Sequence, residues 1–152
     1  MEDFVPFEIA KKLKNKGFDI LCTYAYCKKG GGWNMYAQKH EPIAYILRTD
    51  GNPFGTYYTG KNWNKEYKTN KHKIQCSAPT ISQVLKWFRE EKKIYISITY
   101  SPKIENFQDF YYATIHYIGN YQKTSYTNVN DNYNNWEEAA LNGIEYVLNN
   151  LI

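Results

Sequence analysis

Residues 77–100, SAPTISQVLKWFREEKKIYISITY, read as a helix that runs almost directly into a strand. Thr80 with Gln83 three residues later is a capping-box pattern: the threonine oxygen accepts from an early helical N–H, and the glutamine reaches back to the cap. Pro79 cannot extend the helix backwards, which sharpens its start. Ile81, Val84, Leu85 and Phe88 fall at i, i+3, i+4 and i+7 and share one face, with Trp87 bordering it. Burying each stabilises by roughly 1.5–3 kcal/mol before entropy is subtracted. Lys92 and Lys93 stand where a helix C-terminus favours cations. The period then switches to two, with Ile94, Ile96 and Ile98 on one side and Tyr95, Ser97 and Thr99 on the other. A helix packed on a half-buried strand covers both apolar surfaces. No catalytic motif falls in this stretch.

Towards the N-terminus, Pro6 suits the first turn of a helix with Ile9, Ala10 and Leu13 inside and Lys11, Lys12, Lys14 and Lys16 on a solvated face. Gly17 can end it in the left-handed conformation, with Phe18 folding back. Residues 20–27 and 33–38 flank KKGGG (28–32), a hairpin connection; no Gly-Lys-Ser/Thr follows it, so a phosphate loop is disfavoured. Residues 43–48 form a short strand closed by the turn Asp50-Gly51-Asn52-Pro53, and 54–59 read as another. Towards the C-terminus, 110–118 are a strand antiparallel to the first. Residues 120–135, rich in Asn, Tyr and Thr, read as surface loop. Asn135 with Glu138 caps a final helix whose buried stripe is Ala140, Ile144, Val147, Leu148 and Leu151. The expected architecture is one α+β domain over residues 1–152: an antiparallel sheet with two to three helices packed mainly on one face. The two halves, each a helix followed by a strand pair, are loosely alike.

The length of 152 residues fits one domain with a core of its own. No run approaches the roughly 20 apolar residues of a membrane span, and no signal-peptide layout opens the chain, so a soluble, cytoplasmic protein without membrane contact is expected. Cys22, Cys27 and Cys76 are odd in number and follow no disulfide framework, which favours reduced thiols. The net charge of +4 rests almost wholly on lysine, Arg48 and Arg89 being the only arginines. Lys, Asn, Ile and Tyr are what AT-rich codons specify, so part of the lysine excess reflects codon bias. A dedicated reader of phosphate or guanine is expected to keep arginine.

Residues 61–73, KNWNKEYKTNKHK, are the compositional outlier. Five lysines (Lys61, Lys65, Lys68, Lys71, Lys73) stand against Glu66, a local net of +4, while the rest of the chain balances at 14 basic and 14 acidic residues. Trp63, Tyr67 and His72 are interleaved with them. Such a stretch can track a phosphate backbone while Trp63 and Tyr67 stack on bases. The plainer reading is an exposed polar loop between two halves of the fold.

The residues that do chemistry are scattered. His40, His72 and His116 are the only histidines. No paired spacing of the kind a zinc site uses is present, and no metal or other cofactor is implied. A Cys/His nucleophile pair would have to assemble in space from thiols that nothing local singles out. Glu90–Glu91 and Glu137–Glu138 are adjacent on helices and diverge by about 100°, so neither makes a converging dyad. An enzyme is not expected.

Three helical segments, 4–18 (FVPFEIAKKLKNKGF), 78–94 (APTISQVLKWFREEKKI) and 137–152 (EEAALNGIEYVLNNLI), resemble a group of short uncharacterised proteins of anaerobic gut bacteria and their phages or other mobile elements. The strands and the lysine-rich stretch depart from it. The resemblance carries no activity and no catalytic residue; it implies an accessory role. Residues 80–118 also look like the recognition helix and wing of a winged-helix DNA binder, a fold that requires a further helix immediately before.

These readings favour a non-enzymatic accessory or binding protein acting on a protein partner through a tyrosine-rich surface, 16 tyrosines being present. The alternative is nucleic-acid binding, through 61–73 or the winged-helix-like unit. The oligomeric state is left open.

Overall fold

The computed structural model describes residues 3–28, 44–46, 62–65, 73–102, 108–118 and 127–152. Among these the elements are α1 (Phe7–Asn15), β1 (Tyr24–Lys28), β2 (Ala44–Ile46), β3 (Lys73–Ser77), α2 (Ile81–Trp87), β4 (Ile94–Ser101), β5 (Phe110–Tyr117), β6 (Thr127–Tyr133) and α3 (Trp136–Asn150). A π-helical turn, Phe88–Lys92, continues α2. The fold is α+β and every strand pairing is antiparallel, as the sequence predicts, but the strands make two sheets, ordered β2-β1-β3 and β4-β5-β6. The chain divides into two compact units, Phe4–Pro79 in one, and Met1–Asp3 with Thr80–Ile152 in the other. The boundary falls inside the stretch 77–100.

In the first unit, α1 buries Ile9, Ala10 and Leu13 as its periodicity requires. Gly17 takes φ +84°. The Phe18 N–H then donates to Leu13 O (3.0 Å) and the Gly17 N–H to Lys14 O (3.1 Å), a Schellman ending that seats Phe18 in the core. β1 lies between β2 and β3, with a register shift at Tyr26/Cys27 in its pairing with β3. Tyr26 OH donates to Val5 O (2.6 Å), which anchors the chain ahead of α1 to β1.

In the second unit, the Thr80–Gln83 capping box forms: Gln83 N donates to Thr80 Oγ1 (3.3 Å) and Thr80 N to Gln83 Oε1 (2.9 Å). The buried arc of α2 is Ile81, Val84 and Trp87, with Phe88 following in the π turn, while Leu85 is half-buried. At 100° per residue that arc is centred on Val84 and swings towards Trp87, away from the expected side at Leu85. Lys93 closes the turn in the left-handed region (φ 56°), and its ammonium donates to Glu90 O (2.8 Å).

β4 and β5 pair without interruption from Ile94↔Tyr117 to Ser101↔Phe110. α3 packs on this sheet. Asn135 caps α3, its Oδ1 accepting from Glu138 N (2.8 Å), and Glu138 Oε2 accepts from Asn134 N (3.3 Å). Its buried stripe is Ala139, Ala140, Gly143, Ile144, Val147 and Leu148, and Leu151 is only half-buried.

Two strands depart from the sequence reading. β3 arises from KIQCS at the end of the lysine-rich stretch, and β6 arises from TNVNDNY, read as loop. Neither has the β-branched or aromatic run that marks a strand; pairing with β1 and with β5 orders them instead. The predicted strands at 33–38 and 54–59, the KKGGG connection beyond Lys28, which ends β1, and the turn at 50–53 lie outside the described residues.

Candidate interaction surface

Of the residues singled out at 61–73, Trp63, Lys65 and Lys73 are among those described. Trp63 is buried at 4% exposure, and its indole N–H donates to Cys22 O (2.7 Å). An indole so enclosed offers no face to a base, which corrects its reading as a stacking residue. Its neighbours work inward too. Asn62 Nδ2 donates to Asp19 O (3.0 Å), Asn64 Nδ2 to Phe18 O (2.7 Å), and Ser77 N donates to Asn64 Oδ1 (2.9 Å). Residues 62–65 thus clasp the segment after α1 to the end of β3. Lys65 is exposed and paired with Asp19 at 3.3 Å. Lys73 opens β3. Lys61, Tyr67, Lys68 and Lys71 lie outside the described residues. The Trp and Asn side chains of this clasp were legible only as loop composition, since nothing in the local pattern marks an inward-turned tryptophan.

The winged-helix likeness also fails. The element immediately before α2 is strand β3, not a helix, and the helix offered as a reader turns Val84 and Trp87 into the core.

Two of the three thiols are recessed. Cys22 and Cys76 are both fully buried. Desolvation pushes the Cys22 thiol up from 9.0 to about 12. The thiolate is the attacking form, so a thiol held protonated this firmly is a poor nucleophile. Among the described residues, no three His, Cys, Asp or Glu side chains gather as a metal-binding group.

The surface that does emerge is one face of β4 and β5. Gly143 of α3 sits over Ile96 and Ala113, so α3 covers the side carrying Ile94, Ile96, Ile98, Ala113 and Ile115. Strand alternation places Tyr95, Ser97, Thr99 and Ser101, with Phe110, Tyr112, Thr114 and His116, on the other side. The register sets Tyr95 beside His116, Ser97 beside Thr114, Thr99 beside Tyr112 and Ser101 beside Phe110. Ring contacts follow that order: Tyr95–His116 at 6.1 Å between centroids and Phe110–Tyr112 at 6.1 Å. Tyr95 is exposed, and apart from the buried central Thr114 the other residues of this face are half-buried. These eight positions hold no Lys, Arg, Asp or Glu. Hydroxyls and aromatic rings are what the face presents.

Charge separates the two units. Residues 4–79 carry 13 Lys/Arg against 5 Asp/Glu, a net of +8; residues 1–3 and 80–152 carry 6 against 10, a net of −4. The uncharged face therefore belongs to the acidic unit, and the lysine excess to the other. No helix among the described residues is long and apolar enough to cross a membrane. No family model, curated protein or solved structure matches the chain.

Proposed function

We propose that the chain is a non-enzymatic accessory or binding protein that engages a protein partner on the Tyr95–His116 face of β4 and β5. The observation that carries this is the chemistry of the face: tyrosines, a phenylalanine and small hydroxyl residues on a rigid paired scaffold, with no charged side chain among its eight positions. Interface cores are depleted in charge and enriched in aromatic residues. Tyrosine adds contact area and a hydrogen-bonding tip at a low entropy cost. The unit's net of −4 repels phosphate, so the partner surface that fits is a protein segment with neutral or basic residues. The recessed Cys22 and the accessory role implied by the resemblance of the helices to a group of short uncharacterised proteins support the same reading.

A site-resolved capture tests it. A photo-crosslinking amino acid placed at Ser97 or Thr99 should give discrete protein adducts in cells of the source, and Tyr95→Ala with Tyr112→Ala should remove them. The same crosslinker at exposed Asn149 on α3 should not yield those adducts. Equal capture at Asn149, or none at Ser97 and Thr99, would sink the proposal.

A second reading, contact with nucleic-acid phosphate by the basic unit, is favoured by its net of +8. It predicts oligonucleotide binding that weakens steeply with salt, since each neutralised phosphate releases counterions. Binding of that kind, undiminished by Tyr95→Ala, would place nucleic acid ahead of protein.

A further inference from the structure

At the end where β4 leaves the sheet and β5 enters it, the side covered by α3 becomes aromatic. Tyr100 pairs with Tyr111 across the two strands, and Tyr111 pairs in turn with Tyr133 on β6, so three tyrosines stand in one row. Cover runs out along that row. Tyr133 is buried, Tyr111 is half-buried, and Tyr100, at 49% exposure, is the most exposed aromatic residue among those described. The Tyr100 and Tyr111 rings lie 5.1 Å apart between centroids and are tilted by 48°. Tyr111 thus steadies Tyr100 from one side while about half of Tyr100 stays in water.

A carboxylate is tied to the open ring. Tyr100 OH donates to Asp109 Oδ2 (3.1 Å). That bond, the largest cause, raises the Tyr100 pKa above 10.0, so at neutral pH the phenol stays a neutral donor and the pair carries the charge of the carboxylate. The bond takes one of the roughly four acceptor positions that a carboxylate offers. Asp109 is exposed, and the unit that holds it has a net charge of −4, which draws cations towards it. The acidic first turn of α3, with Glu137 and Glu138, starts just after Tyr133 and so stands at the same end of the sheet.

An open tyrosine ring with a carboxylate at its edge matches one side chain best. A guanidinium is planar, so it lies flat over the ring while its fork of N–H donors reaches the carboxylate. An ammonium is a more strongly hydrated point charge and gains less from the ring. We propose that the Tyr100–Tyr111–Asp109 corner binds an arginine side chain of a partner peptide, with the guanidinium over the Tyr100 ring and donating to Asp109 Oδ1. The inference goes beyond the protein-partner reading, since it assigns a charge-recognising site on the α3 side of the sheet, where that reading uses the uncharged side. Each can fail without the other, because the corner is tested on the purified protein with no partner present.

The probe is N-acetyl-argininamide, titrated into the full chain while the ring signals of Tyr100 and Tyr111 are followed by NMR. Saturable shifts in the millimolar range are expected, weaker at high salt. N-acetyl-citrullinamide has a similar shape without the charge and should leave both rings unmoved at equal concentration. N-acetyl-lysinamide should bind more weakly than the arginine probe. Asp109→Asn keeps an acceptor for the phenol but removes the charge, and Tyr100→Leu removes the ring. Each should weaken the arginine probe about two- to fivefold with unchanged circular dichroism. The absence of saturable shifts, an equal response to the citrulline or lysine probe, or undiminished binding by either variant would overturn the proposal. So would binding that emerges only in Lys103→Gln, which would mean that the chain's own lysine holds the corner.

Discussion

Gly143 of α3 stands so close to Ile96 of β4 that a Cβ built on it would lie 2.9 Å from Ile96 Cγ2 and 3.1 Å from Ala113 Cβ. A helix-interior glycine normally costs about 1 kcal/mol relative to alanine. Here the missing methyl is what lets the helix lie flat on the sheet.

Gly143→Ala should therefore destabilise despite its gain in helix propensity. Overpacking a close-fitted core costs about 1–3 kcal/mol, which exceeds the propensity gain over most of that range. Urea unfolding of the variant should show a lowered midpoint. The double variant with Ile96→Ala should lose less than the two single losses added, because removing the isoleucine side chain frees the space the new methyl needs. A raised midpoint for Gly143→Ala would show that the helix has room to lift.

Trp63 makes a different demand, because it fills space and satisfies a carbonyl at once. Trp63→Phe keeps most of the ring but leaves the Cys22 carbonyl without its 2.7 Å donor. Losing one such hydrogen bond costs about 0.5–1.5 kcal/mol. Trp63→Ala adds a cavity and should cost about 3–5 kcal/mol. If Trp63 were instead a surface platform, both variants would unfold like the wild type.

That residue marks where the sequence stops being readable. The capping box at Thr80, the Schellman ending at Gly17 and the alternation of β4 are local: neighbours within four residues decide them, and the pattern shows it. Trp63 is held by Cys22, and its neighbours Asn62 and Asn64 by Asp19, Phe18 and Ser77, all more than ten residues away in sequence. β6 is similar, since TNVNDNY is extended only because β5 offers it a ladder. The candidate face lay half in view. The Tyr95, Ser97, Thr99 side of β4 was plain from period two, but β5 carries apolar residues on both sides, and its open side could be assigned only once Gly143 fixed α3 on the other. The split of charge between units was hidden as well, because their boundary is a property of packing and not of composition.

The buried Cys22 thiol gives the fold a high-pH sensitivity. Its folded pKa is raised from 9.0 to about 12 by desolvation, so the native state favours the protonated form. The stabilising contribution of that thiol is complete below pH 9 and is lost as pH climbs towards 12, at up to about 1.4 kcal/mol per pH unit. Cys22→Ala removes the titrating group. At neutral pH the wild type should be the more stable, because alanine leaves a small void. Between pH 9 and 12 the gap should close and then reverse, as measured by urea midpoints at stepped pH. A gap that stays constant through this window would show that the thiol titrates at its ordinary value in the folded protein.

Gly17 and Lys93 hold the same left-handed conformation at the ends of two helical segments, one with the residue suited to it and one without. At Gly17, φ +84° penalises any side chain, although nothing lies within 4 Å of the position its Cβ would take. Gly17→Ala should cost about 1–2 kcal/mol, the ordinary penalty of a non-glycine residue there. Lys93 already bears that penalty, offset in part by its ammonium's 2.8 Å bond to Glu90 O and by its favourable place at a helix C-terminus. Lys93→Gly should relieve the strain and forfeit the bond, for a net gain of about 0.5–1 kcal/mol. Lys93→Ala keeps the strain and loses the bond, and should fall below the wild type. The order glycine, lysine, alanine in urea midpoints checks the argument; alanine equal to glycine would mean that the left-handed backbone at Lys93 carries no cost.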